Sequence, residues 1–227
     1  MPASVPPFSI SIAGKGVTDA PGRVVAVYAK AAYVSTAAGL FAVTTPDVPP
    51  GPVHAATHAD VSRLRAGDQV EVDLAGAHRW VGALPAQLDA ELLLAVLAAA
   101  PPSSLSPLPD GDIAALAAYL GGRGPGLTPA GDDCLAGMFL VAYVRGDDVT
   151  GLAEAVPTND IALAFLHWAA QGQSIEPVHR LLCATDHGAG REALADLLRF
   201  GHSSGADLAL GLRTAVQRLC NGARHPS

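Results

Sequence analysis

The stretch GGRGPGLTPAGDDCLAGMF, from Gly121 to Phe139, places two adjacent aspartates directly behind a loop rich in glycine and proline. A loop that leads into a helix can hold an anion, because free N–H groups point outward from the positive helix end. Asp132 and Asp133 fit such a site only if a cation, a basic residue or a proton offsets their charge. Mg²⁺ commonly bridges carboxylates and phosphate oxygens, and Arg123 is the local alternative. A third option is that the aspartates accept hydrogen bonds from an amide or carbamoyl N–H group.

A simpler interpretation of this stretch needs no ligand. Thr128 before Pro129 is a good N-cap followed by proline at the first helical position, and acidic residues suit the first turn. However, Gly131 and Gly137 fall inside the predicted helix, where each costs about 1 kcal/mol relative to alanine. Glycines at such positions indicate that a ligand or another backbone comes close.

A second stretch of the same character, GHSSGADLALG, runs from Gly201 to Gly211. Ser204 and Asp207 match the S-x-x-[DE] capping pattern, so an ordinary helix start is one interpretation. His202 is compatible with a core position in which both ring nitrogens are satisfied. Because both stretches feed a helix that carries an early aspartate, we expect them to meet at one pocket.

The elements that would position these residues fall into two groups. Residues 1–85 have the Val, Thr and aromatic content of short strands separated by Gly, Pro and Asp turns, and residues 46–54 contain too much proline for a central strand. They predict a small antiparallel β barrel or sandwich. The predicted strands are 8–13, 23–30, 33–37, 40–45 and 69–74.

Residues 86–227 change to helical patterns, several of which end at glycine. They predict an all-α helical bundle of six to eight helices that carries both glycine-rich stretches. The expected fold class is therefore α+β, with a β-rich domain (1–85) followed by an α-helical domain (86–227).

Composition excludes several classes of function. Half of the 227 residues are hydrophobic, which is ample for a core, and the net charge of −7 argues against non-specific nucleic-acid binding. The three cysteines form no C-x-x-C pair and are expected to be reduced thiols. With no recognisable signal peptide and no apolar run long enough to span a bilayer, a cytoplasmic protein without membrane contact is expected.

The two stretches together resemble a known family. The patterns G-x-G-P-G-L-T-P-[AS]-G-D-D and G-H-[ST]-S-G-x-D-x-x-x-G are similar to those of the AllH-like family, formerly a domain of unknown function. That family is associated with the oxamate carbamoyltransferase of anaerobic allantoin breakdown, as one subunit beside two larger ones. The resemblance implies a transferase subunit in a hetero-oligomer. It also implies chemistry around carbamoyl phosphate, such as oxalurate and phosphate giving oxamate and carbamoyl phosphate.

The resemblance also suggests which residues bind the small anionic ligand. The backbone N–H groups of residues 126–131 and the hydroxyls of Thr128 and Ser203 would hold an anionic oxygen. Asp132 and Asp133 would bind the carbamoyl NH₂ or a Mg²⁺ ion. The candidate catalytic residues are Asp132, Asp133, His202 (an acid, a base or a phosphate donor) and Asp207. The candidate ligand-binding residues are Gly124, Gly126, Thr128, Gly131, Ser203 and Ser204.

Two other functions remain open on the sequence. One is a non-catalytic ligand-binding or assembly subunit, whose glycines serve close helix packing. The other is a stand-alone metal-dependent hydrolase that uses Asp132, Asp133 and Asp207.

Overall fold

The computed structural model describes residues 7–222, and the chain divides into two compact units between Gly82 and Ala83. The first unit contains the strands and the second contains the α-helices. The predicted order of secondary structure, with the strands first and the α-helices after them, is therefore confirmed.

The first unit is built from nine short strands and one 3₁₀ turn at Val61–Arg63. Burial alternates along Gly22–Val27 and Ala31–Thr36, while the last four residues of Gly39–Thr44 are all buried, and the core of this unit includes Val24, Val34 and Phe41. The strands are β1 (Phe8–Ser9), β2 (Ile12–Gly14), β3 (Gly22–Val27), β4 (Ala31–Thr36), β5 (Gly39–Thr44), β6 (His54–Ala56), β7 (Gln69–Val70), β8 (Val72–Asp73) and β9 (His78–Trp80).

Seven of these strands form one open sheet in the order β7-β3-β4-β5-β6-β2-β9, and β1 pairs with β8 in a two-stranded sheet. The β3, β4 and β5 strands are antiparallel neighbours joined by tight turns. By contrast, β5 with β6, β2 with β9, and β1 with β8 run parallel. The described strands therefore form a mixed sheet that does not close, so the expected antiparallel barrel or sandwich is only partly supported.

The parallel pairs arise from connections that a hairpin cannot make. Tight turns produce antiparallel neighbours, whereas a parallel neighbour needs a longer connection that returns the chain to the same end of the sheet. Between β5 and β6 that connection is residues 45–53, the proline-rich segment. The prediction that residues 46–54 hold no central strand fails only at its last residue, because His54 begins β6 inside the sheet.

The second unit contains eight described α-helices, within the predicted range of six to eight. None of the helices between residues 7 and 222 is long and apolar enough to cross a membrane. The helices are α1 (Ala90–Leu97), α2 (Ile113–Leu120), α3 (Ala130–Arg145), α4 (Thr150–Glu154), α5 (Asp160–Ala170), α6 (Glu176–Leu182), α7 (His187–Leu198) and α8 (Ser204–Gly222).

Helix α3 is the centre of this unit. Its residues from Ala130 to Ala142 are all buried, and it packs against α2, α5 and α8. Between its first turn, which holds Asp132 and Asp133, and its last turn, α3 carries only apolar residues, and a helix that is apolar on every side must be surrounded by other elements. The loop before α3 and the first turn of α8 carry the two glycine-rich stretches.

Candidate functional site

Residues from the two glycine-rich stretches lie in contact. The Thr128 hydroxyl, in the loop before α3, lies 3.2 Å from the hydroxyl of Ser204, the first residue of α8. Both hydroxyls also lie near the carboxyl group of Asp133, in the first turn of α3, and lower its pKa. We call these three residues the Thr128–Asp133–Ser204 cluster.

Close packing of α3 on α8 brings this cluster together. A Cβ atom built on Gly211 would overlap the carbonyl oxygen of Cys134, and one built on Gly137 would lie 2.5 Å from the carbonyl oxygen of Leu208. The two helix backbones therefore touch at positions where only glycine fits. Gly137 lies about one helical turn after Asp133, and Gly211 lies about two turns after Ser204. The contact at these glycines therefore fixes the distance between Asp133 and Ser204.

Two further glycines each allow the start of a helix to pack against the end of the helix before it. A Cβ atom on Gly131 would overlap the carbonyl oxygen of Leu120, the last residue of α2. A Cβ atom on Gly205 would overlap the carbonyl oxygen of Leu197, near the end of α7. In each case the neighbour that requires glycine is another backbone rather than an open space for a ligand.

Asp133 is an unusual carboxyl group. Its residue is only 7% exposed, and burial raises its pKa from 3.8 to about 7. Hydrogen bonds from Ser204 and Thr128 lower the pKa, and the charges of Asp207 and Asp132 raise it. Its Oδ2 atom is buried and has no hydrogen-bond partner within residues 7–222. Such a group is partly protonated at neutral pH and is suited to proton transfer.

Asp207, in the first turn of α8, is near enough to Asp133 for its charge to raise the pKa of Asp133. It is 1% exposed, its Oδ1 accepts a hydrogen bond of 2.5 Å from the Ser103 hydroxyl, and its buried Oδ2 has no partner in the described part of the chain. Burial, together with the charges of Asp207 and Asp133, raises the pKa of the Cys134 thiol to about 12. Because the thiol stays protonated at neutral pH, Cys134 is a packing residue and not a nucleophile.

Asp132 points to different partners. Its Oδ1 accepts the Gly122 N–H at 2.9 Å and its Oδ2 accepts the Thr158 hydroxyl at 2.5 Å. The residue is 2% exposed, and burial raises its pKa while these two hydrogen bonds lower it. Asp132 therefore ties the loop before α3 to the segment before α5, with both of its oxygens already used.

This tie predicts a stability effect that separates the two adjacent aspartates. In Asp132→Ala, the Gly122 N–H and the Thr158 hydroxyl lose their acceptor, and we expect a loss of about 2–3 kcal/mol in the free energy of unfolding. Asp132→Asn keeps one acceptor and can donate to Thr158, so we expect a loss below about 1 kcal/mol. Urea denaturation measures both; equal losses in the two variants would contradict the tie.

The backbone of the loop offers some of the expected N–H groups but not all. The Gly131 N–H donates to the Arg123 carbonyl at 2.8 Å and is not available to a ligand. The N–H groups of Gly126, Leu127 and Thr128 have no acceptor among the described residues. Gly124 and Gly126 adopt φ values of 116° and 104°, which side chains rarely tolerate. The loop can therefore present three neighbouring N–H groups to an anion.

His202 and Ser203 lie in the exposed turn before α8. The Ser203 carbonyl accepts the N–H groups of Ala206 and Asp207, at 2.9 and 3.0 Å. No hydrogen bond in the described part of the chain joins the side chain of His202 or Ser203 to the Thr128–Asp133–Ser204 cluster. The structure thus brings Thr128, Asp133 and Ser204 together and leaves these two residues at the surface beside them.

Neither capping interpretation describes these helix starts. The residue at the N-cap of α3 is Pro129, with no side-chain cap, because the Thr128 hydroxyl faces Ser204 instead. The expected capping box of Ser204 and Asp207 is also wrong, because Asp207 accepts from Ser103 rather than from the helix backbone. Both expected caps use their side chains for contacts between elements.

Two residues of this region carry no recognisable sequence signal. Ser103, in the loop before α2, holds Asp207, and Thr158, before α5, holds Asp132. A single hydroxyl in a loop has no spacing pattern that could predict its partner at a distance of 26 or 104 residues along the chain. Only the helix packing brings them to their aspartates.

The aspartates are poorly arranged for Mg²⁺. Within residues 7–222, no three His, Cys, Asp or Glu side chains gather so that they could hold a metal ion. Both oxygens of Asp132 already accept protein hydrogen bonds, and Asp133 is partly protonated at neutral pH. The residues present therefore do not fit a bound Mg²⁺ ion, which was one of the alternatives that the sequence allowed.

Two cavities lie away from this cluster. One, of about 520 Å³, is in the first unit and is lined by residues including Phe8, Ile10 and Leu64. The other, of about 350 Å³, is in the second unit and is lined by residues including Leu116 and Met138. Neither is lined by residues of the cluster.

The fold and these contacts define a helical unit in which two glycine-rich loops meet over a buried, protonatable carboxyl group. Residues 120–216 of this unit match the family described as oxamate carbamoyltransferase subunit AllH. Both glycine-rich stretches that carry the resemblance lie within this match, so the resemblance to the AllH family is confirmed over residues 120–216. No solved structure matches the chain.

Proposed function

We propose that this chain is a subunit of a carbamoyl-transferring enzyme of the oxamate carbamoyltransferase type. In this proposal, a small anionic ligand binds where the loop before α3 meets the start of α8. The family match supports the reaction class. The observation that carries the position is the contact of Thr128 with Ser204 over Asp133. Assembly with larger carbamoyltransferase subunits is part of the same proposal.

The loop supplies donors for an anionic oxygen. The N–H groups of Gly126, Leu127 and Thr128 lack protein acceptors within the described chain, and the hydroxyls of Thr128 and Ser204 are partly exposed. N–H groups at a helix start bind phosphate oxygens well, because their dipoles are already oriented. Ser203 and His202 lie exposed at the adjoining turn and complete the rim in this proposal.

Asp133 supplies the proton chemistry. The two nearby aspartates would repel a phosphate if both were ionised, but a carboxyl group with a pKa of about 7 is partly neutral at physiological pH. When oxalurate reacts with phosphate, a phosphate oxygen bonds to the carbamoyl carbon and the C–N bond breaks. The proton of Asp133 then passes to the departing amide nitrogen, and the proton that the phosphate loses on bonding to carbon returns Asp133 to its acid form, giving oxamate and carbamoyl phosphate. Thr128 and Ser204 hold the carboxyl group in place.

The test is phosphate binding by isothermal titration calorimetry on the full chain. We expect wild type to bind inorganic phosphate, and Thr128→Val to weaken this binding at least about tenfold, since a hydrogen bond to an anion contributes about 1.5–3 kcal/mol. The matched control is Thr150→Val, which removes a similar hydroxyl–carboxylate bond to Asp148 at an exposed helix start. It should leave phosphate affinity unchanged.

Two outcomes would overturn the proposal. One is a wild-type chain that binds neither phosphate nor oxamate. The other is a Thr128→Val variant that binds phosphate as tightly as wild type, which would place the anion elsewhere.

The glycines support a second candidate, a non-catalytic assembly subunit. Gly131, Gly137, Gly205 and Gly211 all face another backbone, which is the role that close helix packing requires. Such a subunit would join the larger subunits without binding phosphate, so the same titration separates the two candidates. The stand-alone metal hydrolase has no support of this kind, since no group of three metal ligands occurs among the described residues.

A further inference from the structure

Ser103 lies in the loop between α1 and α2, outside the residues that match the family, and has no part in the proposed phosphate site. It is buried, and its hydroxyl oxygen accepts the Leu105 N–H at 3.1 Å. Its carbonyl accepts the Ser106 N–H, also at 3.1 Å. The loop therefore fixes the hydroxyl, whose own proton is donated to the Asp207 carboxyl group at 2.5 Å. An O–H donor at this distance is typical of an ionised acceptor.

Asp207 faces the turn of α3 that carries Asp133. Asp207 and Ser204 are three residues apart in α8 and lie on one face of the helix, and the Ser204 hydroxyl lies near the Asp133 carboxyl group. Gly211, four residues after Asp207, lies on the same face and touches the backbone of Cys134. The contact between the two helices thus places the Asp207 side chain beside the first turn of α3.

The ionisable groups that act on Asp133 come from α3 and α8. The charges of Asp207 and Asp132 both raise the pKa of Asp133, and the effect of Asp207 is the larger. The Cys134 thiol keeps its proton at neutral pH. The Oδ2 atoms of Asp133 and Asp207 are both buried without a partner in the described chain. A hydroxyl donor stabilises the ionised form of a carboxyl group, so Ser103 favours a charged Asp207 and a protonated Asp133.

We propose that Ser103 is a positioning residue of the candidate site, whose hydrogen bond keeps Asp207 charged and thereby keeps the proton on Asp133. This inference rests on the proposed function, in which Asp133 is the acid. Without the Ser103 hydroxyl, neither oxygen of Asp207 has a donor among the residues that the structure describes. The proton then moves from Asp133 to Asp207, and the proposed site loses its acid.

The test is a ¹³C NMR titration of the Asp133 carboxyl group in the full chain, with its resonance identified by its absence in Asp133→Asn. We expect a midpoint at a pH of about 7 in wild type. Ser103→Ala should lower this midpoint by about half a pH unit or more, which is about threefold in proton affinity. Asp207→Asn should also lower it, because the amide accepts from Ser103 but carries no charge. Ser103→Thr keeps the hydroxyl and should titrate as wild type.

Ser104→Ala, at the exposed neighbour of Ser103, is the matched control and should leave the midpoint unchanged. Asp207→Asn tests the charge even if Ser103→Ala does not fold, because it keeps an acceptor for the Ser103 hydroxyl. A wild-type midpoint in a folded Ser103→Ala chain, or in Asp207→Asn, would overturn the role of Ser103 and leave the proposed phosphate binding standing. A wild-type chain that binds no phosphate would overturn the proposed function, while a lowered midpoint would still show that Ser103 places the proton.

Discussion

Gly211→Ala is expected to destabilise the helical unit by about 3 kcal/mol or more, although alanine is intrinsically the better helix former by about 1 kcal/mol. The added methyl group would overlap the carbonyl oxygen of Cys134 in α3. A backbone atom cannot rotate away as a side chain can, so α3 and α8 must separate. Urea denaturation followed by far-UV circular dichroism measures the loss.

The matched control is Gly151→Ala in α4, where an added Cβ has no neighbour within 4 Å. There the helix propensity of alanine acts alone, and we expect a gain of up to about 1 kcal/mol. The same substitution in two helices thus has opposite signs. If Gly211→Ala matched wild type, α3 and α8 would lie farther apart in solution than their glycines indicate.

The distance between α3 and α8 also determines the candidate site. Asp133 belongs to α3, while Ser204 and Asp207 belong to α8. Separating the helices by even the width of a methyl group would break hydrogen bonds that depend on a few tenths of an ångström. We therefore expect Gly211→Ala to lose phosphate binding as well as stability, although Gly211 itself touches no ligand in the proposal.

The sequence predicts the order of the elements because their patterns are local. Alternation in residues 23–30, 33–37 and 40–45 predicts β3, β4 and β5, which are hairpin partners. It does not predict β6 or β9, because each is a three-residue strand that lies outside the predicted runs of Val, Thr and aromatic residues. Parallel pairing depends on where a connection returns in space, so the mixed sheet could not be read from any local pattern.

For the candidate site, the sequence indicates which positions need glycine but not what approaches them. Gly131 and Gly137 predict a close neighbour of some kind, and the structure identifies that neighbour as the backbone of α2 and α8, respectively. The adjacent aspartates look equivalent in the sequence. They differ because successive helical residues face directions about 100° apart, so Asp132 meets Thr158 while Asp133 meets Ser204.

Asp133→Asn is expected to become more stable relative to wild type as the pH rises. A pKa of about 7 in the folded chain, against 3.8 when unfolded, means that the folded state keeps a proton that the unfolded state releases. The stability contributed by Asp133 is therefore fully present below about pH 4 and lost as the pH rises through 7. That loss amounts to about 4 kcal/mol. Asparagine cannot ionise, so the variant avoids it.

The measurement is the difference in unfolding free energy between Asp133→Asn and wild type at pH 4 and at pH 8. We expect this difference to shift by about 4 kcal/mol in favour of the variant. Asp160→Asn, in the exposed first turn of α5, is the matched control and should show a shift below about 0.5 kcal/mol. A pH-independent difference for Asp133→Asn would show that this carboxyl group ionises as it does in water.

An Asp133→Asn variant that is more stable than wild type at pH 8 but inactive would also explain why this position carries an ionisable carboxyl group. Ionising Asp133 inside the helical unit costs stability, and a purely structural position would be better filled by asparagine. The proton that Asp133 can release near neutral pH is the property that asparagine lacks. Full carbamoyl-transfer activity in Asp133→Asn, measured with the proposed partner subunits present, would contradict the proposed role of Asp133 as the acid.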